Sequence, residues 1–288
     1  MVGPSARRRA AQYLVEAKKS SVNRACQALR LAKSSYYLRS PGNQAWRRLE
    51  KRIKALSLKH PRYGYRMITE LLRAESWKVN RKRVQRVRRR EGLQVIGKAH
   101  KTKRKLTGQV ERRQAQKPNE VWSYDFVHDQ LENGAGLKML TVLDEFTRQC
   151  LGILVERSIT AGEVTRFLDL LVLKRGAPEH VRSDNGPEFV AQTVKSWAEE
   201  QAIQIHYITP GSPWENPHVE SFHGKFRDEC LNREVFGNLL EAKVLIEQWR
   251  EQYNNKRPHS SLGYQTPREF GRQFSSKLRV ATLPSASS

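Results

Sequence analysis

The order of apolar segments between residues 121 and 254 constrains the fold of this chain more than any other feature. Three short runs rich in β-branched and aromatic residues, at 121–131, 137–143 and 150–155, are joined only by short turns, as in consecutive antiparallel strands. After them come an amphipathic helix (160–174), a strand (180–182), a helix (188–201), a strand (203–208), a helix beginning at Asn216-Pro217 and a helix at 239–254. This order predicts an α/β domain with a mixed five-stranded sheet and flanking helices.

Charge is distributed very unevenly along the 288 residues, whose formal net charge is +24. Residues 1–118 contain 34 Lys and Arg against 6 Asp and Glu, whereas residues 119–288 contain 19 against 23. A basic half joined to a mildly acidic half favours a nucleic-acid-binding segment attached to an enzyme. A ribosome-associated or membrane-associated basic tail is the alternative that composition leaves open.

Cysteine content and hydropathy indicate the compartment. The three cysteines, Cys26, Cys150 and Cys230, form no CxxC pair, which argues against both a disulfide framework and a zinc knuckle. No apolar run reaches about 18 residues, and the N-terminus has no apolar signal core. We therefore expect a soluble, cytoplasmic protein without a membrane partner, and we further expect it to be associated with the nucleoid.

The basic half divides into two helical segments and a linker. Residues 1–42 have helical periodicity and end at a Ser-Pro-Gly-Asn cluster, which suits a small helix-turn-helix-like domain. Residues 43–97 predict a helix-turn-helix DNA-binding domain, 98–118 a basic linker, 119–275 the α/β core, and 276–288 a disordered tail.

The second helix of the 43–97 segment is densely cationic. Asn80 is a good N-cap, Val84 and Val87 form its apolar face, and Gly92 follows its end. So many cations repel one another unless an anion lies against them, which favours DNA contact over a merely solvated helix. The predicted DNA-binding residues are Arg81, Lys82, Arg83, Arg86, Arg88, Arg89 and Arg90, with Arg104 from the linker.

Three acids in the core are candidates for catalysis. Asp125 lies inside the first strand, where a charge is out of place, and Asp184 follows a short strand and precedes the turn-forming Asn-Gly-Pro. Glu220 falls near the start of a helix, where the helix dipole favours its ionised form. Asp129 and Asp144 compete with Asp125 for its place in the site, and an edge-strand aspartate without a catalytic role is the plain alternative.

Three carboxylates in one site repel unless cations neutralise them. Two Mg²⁺ ions, for which Mn²⁺ could substitute, would do so and would support in-line phosphoryl transfer on nucleic acid. Asn185 and Glu188 are candidates to orient Asp184 or a neighbouring water, and the alternative for Glu188 is that it simply favours the start of the following helix. Arg227, seven residues after Glu220, and Lys225 are candidates to bind a phosphate, and His218 and His223 are further candidates for phosphate or DNA contact.

Taken together, these motifs resemble those of DDE transposases of bacterial insertion sequences, of the OrfB type made from two overlapping reading frames. The matching segments are Trp122–Asp125, Ser183–Phe189, Pro217–Phe222 with Arg227, Tyr253–Pro267, and His60–Arg66 continuing to Leu93. The resemblance implies a ribonuclease-H-like, retroviral-integrase-like catalytic core. It also implies that Asp125, Asp184 and Glu220 are the catalytic and metal-binding triad, and that the enzyme performs 3′-end cleavage and strand transfer into target DNA.

The resemblance also implies partners. The terminal inverted repeats and the target DNA are the expected substrates, bound by a homo-oligomer, and the product of the upstream frame is a further expected partner or fusion. We expect that partner to supply an additional helix-turn-helix that this chain lacks. Two other hypotheses stay open from the residues alone, namely a different ribonuclease-H-like nuclease or resolvase, and a catalytically silent DNA-binding regulator.

Overall fold

A computed structural model describes residues 3–17, 19–37, 43–95, 114–209 and 216–281. The chain divides into two compact units, residues 1–52 and 53–288. The helix Asn43–Lys59 is continuous across this division, and the predicted domain boundary at 42/43 stays a prediction. The predicted linker at 98–118 lies largely outside the described residues, as does its candidate Arg104.

The first unit contains three short helices, α1 (Pro4–Glu16), α2 (Val22–Ala28) and α3 (Lys33–Tyr37), followed by the start of α4 (Asn43–Lys59). The Ser21 side chain caps α2 by accepting a hydrogen bond from the Arg24 amide. Ala11, Ala25 and Cys26 are buried, which fits the small helical domain expected from the apolar periodicity.

The second unit begins with the rest of α4 and a helix pair, α5 (Tyr65–Ala74) and α6 (Arg81–Arg90). The Asn80 side chain caps α6 by accepting from the Lys82 amide at 2.8 Å, as predicted. Gly92 adopts a φ of +67°, a left-handed conformation that ends the helix cheaply only at glycine.

The sheet contains β1 (Val121–Gln130), β2 (Gly136–Asp144), β3 (Cys150–Glu156), β4 (His180–Ser183) and β5 (Gln204–Tyr207), in the order β3-β2-β1-β4-β5. The pairs β1/β2 and β2/β3 are antiparallel, whereas β1/β4 and β4/β5 are parallel. The predicted mixed five-stranded sheet is thus confirmed, and all five strands fall where the apolar runs predicted them.

Helices cover both faces of the sheet. On one face α7 (Ala161–Arg175), α8 (Pro187–Val190) and α9 (Gln192–Glu200) enclose a core that includes Trp122, Tyr124 and Trp197. On the other face α10 (Pro217–Phe226) and α11 (Leu239–Asn255) enclose a second core that includes Met139 and Phe222. Alternation along β2 sends neighbouring Met139 and Leu140 into opposite cores, as a strand requires.

One expectation about the helices is corrected. The helix predicted at 188–201 is broken, because Ala191 is extended (ψ 143°) between α8 and α9. The last helix is α12 (Pro267–Ala281), and the remainder of the tail predicted to be disordered from residue 276 lies outside the described residues. After Phe226, α10 passes into a π-helical turn at Arg227–Leu231, a distortion that is frequent near functional sites. None of the helices in the described ranges has the length and apolar content needed to cross a membrane.

Candidate active site

Two of the three candidate acids lie side by side, one on the central strand β1 and one directly after its neighbour β4. Asp125 is in the middle of β1, opposite Thr141 of β2. Asp184 is the first residue after β4, which runs parallel to β1 with Ser123 opposite Arg182. Because parallel strands keep a constant register, two further residues along each strand bring Asp184 level with Asp125.

Glu220 lies in the first turn of α10, the helix that also carries His223, and its side chain is exposed. Burial, with the charges of Asp184 and Glu220 acting in the same direction and a hydrogen bond from the Phe126 amide acting against it, raises the pKa of the Asp125 carboxyl to about 7. Asp184 and Glu220 are therefore near enough to Asp125 for their charges to act on it.

A divalent cation suits the chemistry of these side chains. All three offer carboxylate oxygen, the donor that Mg²⁺ prefers, and a cation would favour the ionised form of Asp125, whose pKa is raised mainly by burial and also by the charges of the other two acids. In the part of the chain that the structure describes, no group of three or more His, Cys, Asp or Glu side chains is assembled so that it could hold a metal ion. The acids are thus neighbours without forming a closed set of ligands.

His223 is a site residue whose position the sequence did not predict. Its Nε2 lies 2.8 Å from the Thr141 hydroxyl, and its Nδ1 lies 3.7 Å from a carboxylate oxygen of Asp125. Burial, assisted by the charge of Arg227, lowers the pKa of His223 to about 4, so the ring is neutral at neutral pH. Its spacing of three residues from Glu220 places both on one face of α10, which is the signal that could have identified it.

The loop after β4 fixes Asp184 mainly through its own backbone. The Gly186 amide donates to the Asp184 carboxylate at 3.0 Å, and the Ser183 hydroxyl donates to the Asp184 carbonyl. Asn185 instead donates to the Ile208 carbonyl. The expectation that Asn185 orients Asp184 directly is therefore corrected, since its amide ties the loop to the residue after β5.

Glu188 also has a partner other than Asp184. Its carboxylate pairs with Lys138 of β2, which holds the pKa of Glu188 below its usual range. The Lys138 ammonium lies 4.1 Å from the centre of the Phe126 ring, and that ring stacks on Phe189. Glu188 thus links α8 to β2. Its predicted role in orienting Asp184 stays a prediction.

The two cations predicted on α10 face different surroundings. Arg227 is exposed, and its guanidinium donates to the His128 carbonyl at 3.3 Å near the end of β1. Lys225 instead donates to the carbonyl and hydroxyl of Ser221, at 2.9 and 2.6 Å. Lys225 therefore does not join Arg227 beside the acids.

The competing aspartates do not belong to this group. Asp144 is buried at the opposite end of the sheet, opposite Trp122, and its two carboxylate oxygens accept from the amides of Asn119 and Thr147. Asp129 is partly buried near the end of β1 and accepts from the Gln130 amide. Neither raises the pKa of Asp125.

The basic helix α6 presents most of its predicted DNA-binding side chains to solvent. Arg81 is partly covered, since it pairs with Glu70 at 2.8 Å and lies over the Tyr264 ring. The exposed members are Lys82, Arg83, Arg86, Arg89 and Arg90.

Arg88 is the exception and is corrected. It is 3% exposed, and its guanidinium donates to the Tyr63 carbonyl at 2.6 Å. Four residues after Val84, it lies on the apolar face of α6, so it holds the helix in place and is not available to a DNA groove.

Sequence comparison agrees with this architecture. Two family models described as "Integrase core domain" match residues 115–213 and 201–267, and one described as "HTH-like domain" matches residues 44–101.

Individual relatives are insertion-element proteins. The chain is 37% identical to the insertion element IS476 uncharacterized 39.2 kDa protein of Xanthomonas euvesicatoria, over 98% of this chain and 82% of that protein. It is 40% identical to the insertion element IS407 uncharacterized 31.7 kDa protein of Burkholderia multivorans, over 87% and 90%. It is 29% identical to the putative transposase InsK for insertion sequence element IS150 of Escherichia coli, over 74% and 78%.

Proposed function

Because the chain belongs to the family of insertion-element transposases with an integrase core domain, we propose that it cleaves the 3′ ends of an insertion sequence and joins them to target DNA. Membership makes the chain an enzyme of the polynucleotidyl-transferase class. The observation that supports the specific proposal is the register that brings Asp184 level with Asp125 on neighbouring strands, with Glu220 of α10 near enough for its charge to act on Asp125.

We assign the metal ions to these three side chains. Asp125 and Asp184 project from adjacent strands and Glu220 from α10, so the set offers only oxygen donors. Two Mg²⁺ ions, or Mn²⁺ in their place, would activate the attacking oxygen and stabilise the leaving oxygen of an in-line displacement. Neutral His223, hydrogen-bonded to Thr141, would keep the position of the Asp125 side chain fixed.

Exposed cationic side chains would bind the DNA substrate. Exposed Arg227, near the end of β1, would bind a phosphate that flanks the scissile bond. The exposed face of α6 would bind DNA further away, in the manner of a recognition helix. Action on two element ends predicts a homo-oligomer on DNA, with the upstream-frame product as a further partner, in the cytoplasm at the nucleoid.

Asp184→Asn tests the triad. The variant should lose 3′-end cleavage and strand transfer, because an amide cannot replace a carboxylate ligand, while its affinity for DNA carrying the element ends should stay within about twofold of the parent. Asp129→Asn is the matched control, since this aspartate lies on β1 outside the group. Strand transfer by Asp184→Asn would refute the assignment.

The same assay separates the competing functions. A transposase joins a 3′-hydroxyl end to unrelated DNA, whereas a resolvase or simple nuclease yields only hydrolysed strands. A silent regulator binds DNA and produces no Mg²⁺- or Mn²⁺-dependent nick.

A further inference from the structure

Two sequence motifs without an assigned role meet in space next to the catalytic helix. Residues 60–66 lead into α5, and residues 253–267 connect α11 to α12. Together with α10 they enclose a cleft of about 500 Å³, here called the α5–α10 cleft. Its walls are Gly64 to Met67, Ser221 and Lys225 of α10, and residues 257–261 with Tyr264.

A buried ion pair holds the motifs together behind the cleft. The Arg257 guanidinium donates to both carboxylate oxygens of Glu229 over 2.6–3.0 Å, and each side chain is only 9% exposed. The guanidinium also lies 5.5 Å from the centre of the Tyr63 ring and 5.9 Å from that of Tyr253. Such contacts give the cleft a fixed shape.

The lining is cationic and rich in hydrogen-bond donors. Among the described residues that line the cleft none is acidic, while Arg66, Lys225 and Arg257 are basic and Ser221, Ser260 and Ser261 carry hydroxyls. Burial, assisted by the charge of Arg257, lowers the pKa of Lys225 to about 8. An anion beside Lys225 would offset both effects.

The start of α5 contributes backbone donors. Its N-cap is Gly64, which offers no side chain to cap the helix, so the first amides of this ten-residue helix lack intrahelical acceptors. Uncapped first-turn amides and the positive end of the helix dipole favour a phosphate group.

His259 adds a buried polar atom without a hydrogen-bond partner to the lining of the cleft. The residue is 4% exposed and lines the cleft, and its Nε2 has no hydrogen-bond partner in the described part of the chain. Buried polar atoms rarely lack a partner unless a ligand or water supplies one.

We propose that the α5–α10 cleft binds a phosphate of the DNA backbone, held by Lys225, the Ser221 hydroxyl and the first amides of α5. This inference rests on the proposed function, because the cleft would add a contact to a DNA strand that is bound by α6 and processed at the three acids. Ser221 directly follows Glu220 in the chain. A strand held here therefore passes beside the helix that carries one of the three acids.

The test measures DNA affinity of the full chain by fluorescence anisotropy across a salt series, without divalent metal. The probes are a linear duplex that carries the element end and a duplex of unrelated sequence. Lys225→Ala should bind roughly tenfold more weakly at about 0.1 M salt, and the slope of log K against log[salt] should be shallower by about 0.9, the value for one lost phosphate contact. Lys225→Arg should retain most of the affinity.

Lys195→Ala is the matched control, since Lys195 is an exposed lysine of α9 outside the cleft. If Lys225→Ala loses affinity for both duplexes, the cleft contacts the backbone of any DNA. If it loses affinity for the element-end duplex alone, the cleft contacts the donor end. A Lys225→Ala protein with a parental melting temperature, affinity and salt slope would overturn the proposal.

The outcome is separable from that of the proposed function. If the cleft is wrong, Lys225→Ala binds normally while Asp184→Asn still abolishes strand transfer. If the function is wrong, the parent chain shows no metal-dependent joining although Lys225→Ala still binds DNA weakly.

Discussion

Breaking the buried ion pair between Glu229 and Arg257 should be unusually costly to the fold. In Glu229→Gln the side-chain shape is kept and one oxygen still accepts from Arg257, but the guanidinium stays buried at 9% exposure without its counter-charge. Removal of one partner of a buried pair costs about 3–5 kcal/mol of unfolding free energy. We expect a cost near the lower end of this range, about 3 kcal/mol, because the Arg257 guanidinium keeps one hydrogen bond and its contacts with the rings of Tyr63 and Tyr253.

The double variant Glu229→Gln/Arg257→Met separates charge from packing. Because the double variant removes the buried cation as well, its free energy of unfolding should lie within about 1 kcal/mol of the parent's and above that of Glu229→Gln alone. Urea unfolding followed by tryptophan fluorescence suits the measurement, since the Trp249 ring lies 5.3 Å from that of Tyr253.

Glu247→Gln provides the comparison. Glu247 also pairs with an arginine, Arg250, at 2.6 Å, but its side chain is 52% exposed, so its loss should cost less than about 1 kcal/mol. The reasoning fails if Glu229→Gln costs no more than Glu247→Gln, or if the double variant is as unstable as the sum of its single changes.

Two further predictions concern the acids. A Cβ at Gly186 would lie 3.1 Å from the Asp184 carboxylate, at an ordinary φ of −57°. Gly186→Ala should therefore lower the strand-transfer rate roughly tenfold with little change in melting temperature. The control Gly162→Ala, where a Cβ would enter open space, should leave the rate unchanged, and an unchanged rate in Gly186→Ala would refute the close approach. Without divalent metal, Asp125 should contribute a fall in the unfolding free energy as pH rises from about 4 to about 7, because its folded pKa exceeds its ordinary value of 3.8 and folding therefore favours the protonated acid. Buried His60 and His223, whose pKa values are lowered, contribute a change of the opposite sign, so the quantity to measure is the difference between the parent and Asp125→Asn across this pH range. That difference is at most about 4 kcal/mol and less for a side chain 29% exposed; parallel pH profiles for the parent and the variant would refute the assignment.

Local pattern was sufficient for the secondary structure and for the candidate acids. The strands carry β-branched and aromatic runs, the Asn80 cap precedes its helix, and Pro217 begins α10, all of which depend on neighbours in sequence. The break at Ala191 was not predictable in this way, because residues 188–201 have helical composition on both sides of it.

Which cations face inward depended on contacts across the chain. Arg88 and Arg89 are adjacent arginines with the same local propensity, yet Arg88 is buried against the Tyr63 carbonyl and Arg89 is exposed. Likewise, Arg227 extends toward the end of β1, whereas Lys225 lines the α5–α10 cleft. A side chain's charge can be seen in the sequence, but the group that satisfies it comes from a distant segment.

The sequence by itself determined the mixed sheet and the basic helix-turn-helix and marked the three acids as candidates, since periodicity, capping and charge act over a few residues. Only the tertiary structure decided that His223 lies against Asp125, that Asp184 is fixed by the Gly186 amide, and that the motifs at 60–66 and 253–267 enclose one cleft. Those arrangements arise because strand register and helix packing bring together residues that are far apart in the chain, and side-chain packing then fixes which polar atoms meet.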